Sequence, residues 1–209
     1  LVDRFSFLIR ERKFAKIITE ANSVYGKFSN SASFLNFLGV SHMGLDDLKE
    51  AEGIFEAAIK ANPYFYKPYV NLGSLLKRIG RSNDAVSYFN YVLKIMPNFA
   101  ELHVSLAGIY LEKGEKDNAI TAYKKAVEIN PKHAEAHRSL SLITQYDRGN
   151  PHISQVARLM SESTATLSEK SSLMYAFAKM NEDIGNIDIS YRFYKQAGVL
   201  RKQILQYDS

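Results

Sequence analysis

The sequence predicts an all-α fold of stacked helix-turn-helix repeats. Three observations predict it. Prolines recur at Pro63, Pro97 and Pro131, each 34 positions after the last. The same step joins the small residues Ala51, Ala85 and Ala119 and the rings Phe55, Phe89 and Tyr123. It also joins Leu38, Leu72, Leu106 and Leu140; Gly39 and Gly73 follow the first two, and Ala107 and Ser141 follow the others. A fixed period of this length marks a repeat array, because one helix pair cannot bury its own apolar face.

Each element follows from this period. Three full repeats read as residues 32–65, 66–99 and 100–133. Small residues stand where two helices cross closely, and the rings fill the space between them. Gly80 and Gly114 end a first helix and allow the turn. Each proline closes a second helix, since it cannot continue one. Residues 1–31 form a degenerate repeat, with Ile17, Ala21 and Val24 standing 34 positions before Ala51, Phe55 and Ala58. Residues 134–165 form a divergent repeat: a helix over 134–147, a break at "RGNP", then a helix in "HISQVARLMSE". "STATLSEK" reads as a loop whose Ser and Thr can cap the helix that follows. Residues 166–209 form a last pair with a capping or linker helix, in which Gly185, Tyr194 and Ala197 take the turn, ring and small positions. The total is about eleven or twelve helices in one continuous domain of about five to six repeats.

Composition narrows the function. Among 209 residues there is no cysteine. That removes disulfides, a zinc ribbon, a thiol nucleophile and thiol redox chemistry. No run of 18 apolar residues exists, so no membrane partner is expected. The net charge of +5 is too weak to imply nucleic acid. A cytoplasmic location is the expectation, from a chain whose first residue, Leu1, marks a trimmed N-terminus. No GxxxxGK loop and no GxSxG elbow appears, so no catalytic residue, no cofactor and no enzyme activity are expected of this chain.

The segment "YVNLGSLLKRIGRSNDAVSYFNYVLKIMP" carries a resemblance to the tetratricopeptide-repeat family. Its pattern is an aromatic, Leu-Gly, a turn glycine, Ala, an aromatic, a small residue and Pro. Departures are modest: Leu35 and His103 stand where Tyr69 supplies the aromatic, and Asp46 replaces the turn glycine. The resemblance implies a right-handed α-α superhelix with a concave groove. The C-terminal third, "AHRSLSLITQYDRGNPHISQVARLMSE" through "LRKQILQYD", further resembles the repeat region that precedes the enzyme domain in bacterial tetratricopeptide–sulfotransferase proteins.

Such arrays bind extended peptides in the groove lined by each repeat's first helix. The resemblance places Asn36, then Lys67, Asn71, Ser74, Lys77 and Arg78, then Ser105, then Arg138 and Ser139 on that surface. Asn71, Ser105 and Ser139 would stack as a short polar ladder. An Asn amide can both donate to and accept from a peptide backbone. Lys67, Lys77, Arg78 and Arg138 would suit an acidic segment. A clamp for a C-terminal carboxylate is disfavoured by Glu101 and Ser105 at the positions for its cations.

Other groupings read as structure. His133 and His137 have the i, i+4 spacing of a metal pair, yet no further ligand converges on them. Asp46–Asp47 and Glu182–Asp183 read as helix-end and surface charges, and Tyr64, Phe65, Tyr66 and Tyr69 as packing between repeats. Leu200, Ile204 and Leu205 have no following repeat to cover them, so the last helix can cap, dock on a downstream enzyme domain in cis, or pair two chains. The leading expectation is a non-catalytic protein- or peptide-binding scaffold. The alternatives are the substrate-recruiting region of a sulfotransferase whose catalytic domain lies beyond Ser209, and the repeat arm of a glycosyltransferase.

Overall fold

The computed structural model describes residues 1–162 and 164–207. Ser163 of the expected loop and Asp208–Ser209 at the end of the last segment lie outside them. The described residues form twelve helices: α1 (Val2–Arg10), α2 (Phe14–Phe28), α3 (Ala32–Gly44), α4 (Leu48–Ala61), α5 (Tyr66–Arg78) and α6 (Ser82–Ile95), then α7 (Ala100–Glu112), α8 (Lys116–Ile129), α9 (Ala134–Ile143), α10 (Pro151–Ser161), α11 (Leu167–Asp183) and α12 (Ile187–Tyr207). Contacts divide the chain into two compact units, Leu1–Pro97 and Asn98–Ser209. In the first, α3 pairs with α4, α5 pairs with α6, and α2 packs on α3. In the second, α7 pairs with α8 and α11 with α12, while α9 packs on α8 and α11. No described helix is long and apolar enough to cross a membrane.

The helix pairs reverse through one backbone conformation. Arg12, Asp46, Gly80 and Gly114 have φ of 53°, 68°, 82° and 76°. Each stands one repeat period after the last. The N–H after each reaches back five residues: Lys13 to the Leu8 carbonyl, Asp47 to His42, Arg81 to Leu76 and Glu115 to Tyr110, at 2.8–2.9 Å. This bond satisfies a carbonyl that the helix end would otherwise leave open. Glycine adopts the left-handed conformation freely, whereas Arg12 and Asp46 occupy it at a cost of about 1–2 kcal/mol each. The same turn recurs at Gly185, φ 82°, with Asn186 N–H on the Asn181 carbonyl.

Bare backbone at the crossings explains the glycines after Leu38 and Leu72. A Cβ on Gly39 would meet the Phe55 ring at 2.6 Å, and one on Gly73 would meet Phe89 at 2.5 Å. Both rings are fully buried. Each contributes about 1.5–3 kcal/mol by leaving water. Ala51, Ala85 and Ala119 are also fully buried, which lets the second helices lie close. In the second unit Ala107, Ala119, Tyr123 and Ala126 share one cluster.

Three departures from the expected elements and charges occur in the second unit. First, α9 stops at Ile143, four residues short of 147. Thr144 turns extended, with φ −106° and ψ 139°. Groups on α11 compete for the next backbone atoms: Lys179 Nζ donates to the Thr144 carbonyl at 2.8 Å, and Asp183 accepts from Tyr146 N–H at 3.1 Å. Second, Asp183 is therefore no surface charge. Its side chain is 9% exposed and pairs with Lys179 at 2.5 Å. Third, the loop after α10 ends at Thr166, so "LSEK" is helical. Thr166 Oγ1 accepts from Glu169 N–H while the Glu169 carboxylate accepts from Thr166 N–H, a reciprocal cap. At the start of α10, Asn150 Oδ1 accepts from His152 N–H at 3.1 Å and Pro151 holds the first position.

The close crossings make a direct prediction. Gly73→Ala is expected to destabilise the protein by about 1–3 kcal/mol, because the Phe89 ring cannot move without opening the core. Gly114→Ala, with open space around its Cβ, is expected to cost about 1–2 kcal/mol from backbone strain alone. Urea unfolding of both variants measures the difference; an unchanged midpoint for Gly73→Ala rules out the close crossing.

Candidate functional site

The expected binding residues lie on α3 and α5 in the first unit and on α7 and α9 in the second. In the first unit the structure brings Asn36 and Asn71 together. Asn71 Nδ2 donates to Asn36 Oδ1 at 2.8 Å. Asn36 is buried and Asn71 half-buried. The pairing leaves the Asn71 carbonyl oxygen as an acceptor and the Asn36 amide nitrogen as a donor, the two functions an extended peptide backbone needs. Lys67 is exposed on the same helix and has no carboxylate partner among the described residues. Lys77 is half-buried. Ser74 bonds its own helix, donating to the Val70 carbonyl at 2.8 Å. Arg78 is engaged: it donates to the Met43 carbonyl at 3.3 Å and pairs with the Asp46 carboxylate in the preceding turn.

In the second unit the polar residues turn to one another. Ser105 Oγ donates to the Glu101 carbonyl at 2.9 Å. Arg138 grips Glu135 through two bonds of 2.9 and 2.6 Å. Ser139 and Ser172 donate to the same carboxylate at 3.3 and 3.4 Å. Partial burial works against the charge on Glu135, but Arg138 and the two hydroxyls outweigh it and hold its carboxyl below the usual range. Sequence reasoning missed Ser172. It lies outside the repeat register that singled out Ser105 and Ser139. Glu101, His133, Glu135 and Glu169 border an open cavity of about 510 Å³ here.

The aromatic run divides. Tyr69 is buried and stacks on Tyr91 at 4.5 Å; both phenols donate to the Pro63 carbonyl, at 3.0 and 3.2 Å. Burial and the Tyr91 neighbour push the Tyr69 phenol up to about 12. Tyr64, by contrast, is 88% exposed and packs between nothing. On α12, Leu200 and Ile204 are half-buried while Val199 and Leu205 are exposed. A shallow groove of about 490 Å³ runs past Met174, Lys195 and Val199.

His133 and His137 do not converge. His133 Nδ1 accepts from Ala136 N–H and caps α9. His137 is fully buried and begins a chain of three hydrogen bonds. Its Nε2 donates to the Pro131 carbonyl at 2.9 Å. Its Nδ1 therefore accepts from His152 Nε2 at 2.7 Å, and His152 Nδ1 accepts from the Tyr146 hydroxyl at 2.8 Å. Burial lowers the affinity of both rings for a proton. His133 adds to this at His137, and His137 and Lys124 add to it at His152, which falls to about 4. Burial likewise raises the Tyr146 phenol. Among the described residues no three His, Cys, Asp or Glu side chains gather as a metal site.

A repeated antiparallel helix pair with small residues at the crossings and a left-handed turn defines a helical-repeat protein. Two family models, described as tetratricopeptide repeat and TPR repeat, match residues 32–65 and 66–99 and residues 107–143. Together they span half of the chain, and the chain is a tetratricopeptide-repeat protein. Solved structures with this fold include MamA from Desulfovibrio magneticus RS-1, 17% identical over 87% of this chain and 91% of that one, TM-score 0.62. BtubC (BKLC) from P. vanneervenii is 16% identical over 93% and 91%, TM-score 0.69. Cut9, in the APC/C hetero-tetramer Cut9-Hcn1, is 11% identical over 94% of this chain and 38% of that one, TM-score 0.67. At these identities the likeness is one of fold. A comparison with curated proteins gives no match.

The paired imidazoles make stability depend on acid. Unfolded, both rings take up protons near pH 6.5. Folded, they resist. Their contribution is therefore complete above about pH 6.5 and is lost as pH falls from there toward 4. Thermal unfolding at pH 7, 5.5 and 4 is expected to show a falling midpoint, with a flatter profile in His152→Gln. An equal slope in that variant excludes the pair as the cause.

Proposed function

We propose that this protein is a non-catalytic scaffold that holds an extended peptide segment of a partner along its first helices. The observation that carries the reading is the Asn36–Asn71 pair. It offers one donor and one acceptor side by side on adjacent first helices. Such groups engage main chain without reading sequence, so selectivity must come from neighbours. Lys67 supplies a free positive charge there, which favours an acidic segment. Arg78 and Arg138 add less, since each already holds a carboxylate. The Cut9 neighbour, found in a complex with Hcn1, supports protein partners for a fold of this kind.

A narrower reading makes the chain the substrate-recruiting region of a sulfotransferase. It rests on the resemblance of the C-terminal third and on the exposed Val199 and Leu205 of α12, which suit docking in cis. A sulfate-transfer assay on the native protein from its own cells tests it; a native mass without room for a further domain ends it. The same apolar face suits pairing of two chains. A glycosyltransferase arm loses its main feature, because Ser105 and Ser139 bond along α7 and α9 instead of extending a ladder.

The test begins with peptide display against the immobilised protein. A selected peptide is then titrated calorimetrically. Asn71→Ala and Lys67→Gln are each expected to weaken it about 10-fold, near 1.4 kcal/mol. Raising salt from 50 to 500 mM is expected to weaken the wild type more than Lys67→Gln. Unchanged affinity in both variants removes the groove assignment.

A further inference from the structure

The break after α9 leaves a hollow beside that helix. Elsewhere three residues join a first helix to its second (45–47, 79–81, 113–115), but here seven do, 144–150. The second helix, α10, packs on α11. Beside α9 remains a cavity of about 400 Å³ between α8, α9 and the start of α10. None of its lining residues belongs to the proposed peptide-binding surface.

Its chemistry is one-sided. Val127, Leu140 and Pro151 give an apolar wall. His152 and Tyr146 form a neutral wall, because both ring nitrogens of His152 are already bonded. Lys124, Thr144, Asn150 and Gln155 supply the remaining polar groups, and no carboxylate lines the space. Lys124 has no carboxylate partner among the described residues. Asn150 uses its Oδ1 on the α10 cap, which leaves its amide N–H groups to donate. Thr144 Oγ1 is buried and makes no hydrogen bond. It sits close enough to the Tyr146 phenol to act on it as a hydrogen-bonding neighbour, short of a full bond. The volume lies within the range of small-molecule pockets.

We propose that this hollow binds a small organic carboxylate with a compact apolar body. Lys124 faces the carboxylate charge, the Asn150 amide donates to its oxygens, and the apolar wall covers the body. His152, with both ring nitrogens bonded, takes no part in holding the anion. A carboxylate of this kind comes either from a free acid or from the terminus of a peptide.

The experiment is an NMR titration of the full chain with benzoate, with benzamide as its neutral analogue and N-acetylphenylalanine as the chain-terminal form. Saturable shifts confined to α8, α9 and α10 are expected for an acid, with benzamide about 10-fold weaker. Lys124→Gln is expected to weaken the acid at least about 5-fold and Asn150→Asp, which keeps the cap oxygen but removes the amide donor, about 3-fold, while Lys116→Gln, exposed at the start of the same helix, leaves it unchanged. Whichever acid binds more tightly identifies the source. Circular dichroism confirms that the variants fold. Three results each overturn the proposal: no saturation at tens of millimolar, equal binding of benzamide, or affinity that ignores both Lys124→Gln and Asn150→Asp.

Discussion

One left-handed residue in each regular repeat period organises this protein. It lets the chain reverse within three residues and closes the end of the preceding helix with a backbone bond. Because the reversal is so tight, the two helices of a pair lie close, and the crossing must be stripped of side chains on one side. Gly39 and Gly73 meet that demand, and Phe55 and Phe89 exploit it. The face left outward on α3 and α5 then follows. Asn36 and Asn71 come within hydrogen-bond distance because adjacent pairs repeat the same geometry. The conformation is imposed by the array and not only by the residue type, since Arg12 and Asp46 adopt it despite their Cβ atoms.

Where the turn is missing, the chemistry changes. After α9 the chain has no left-handed residue until Gly149, φ 99°. The backbone released there is held instead by side chains from α11, through Lys179 and Asp183. The diverted segment carries Tyr146 and His152 against His137, and the Pro131 carbonyl sets the direction of every bond in that chain, since a carbonyl only accepts. The repeat's regular part thus presents backbone-like polar groups, while its irregular part borders a hollow with an apolar wall.

The repeat architecture was legible in the sequence because proline, glycine and alanine at crossings leave few alternatives. Ile17 and Ala21, fully buried, were legible for the same reason. The turn at Arg12 was not, because nothing about arginine signals positive φ. The end of α9 was hidden too: "ITQYD" carries no helix breaker, and its competitors, Lys179 and Asp183, lie far along the chain on α11. Of the binding surface, positions on helices could be read from the period. Which charges were already spoken for could not, since Arg78 meets Asp46 in the preceding repeat and Glu135 meets Ser172 on a helix outside the register.

The seven-residue connection also bears on the order in which the chain assembles. A pair joined by three residues closes a short loop, so its contacts form early and locally. α9 lacks such a neighbour on its C-terminal side, because the helix that follows it in sequence packs on α11. Its contacts with α11 close a loop that takes in the whole of α10 and the connections on either side, which costs more chain entropy before any apolar area is buried. α11 and α12, joined by a short turn, do not carry that handicap. The contacts of α9 with α8, only four residues before it, are therefore expected to form ahead of those with α11.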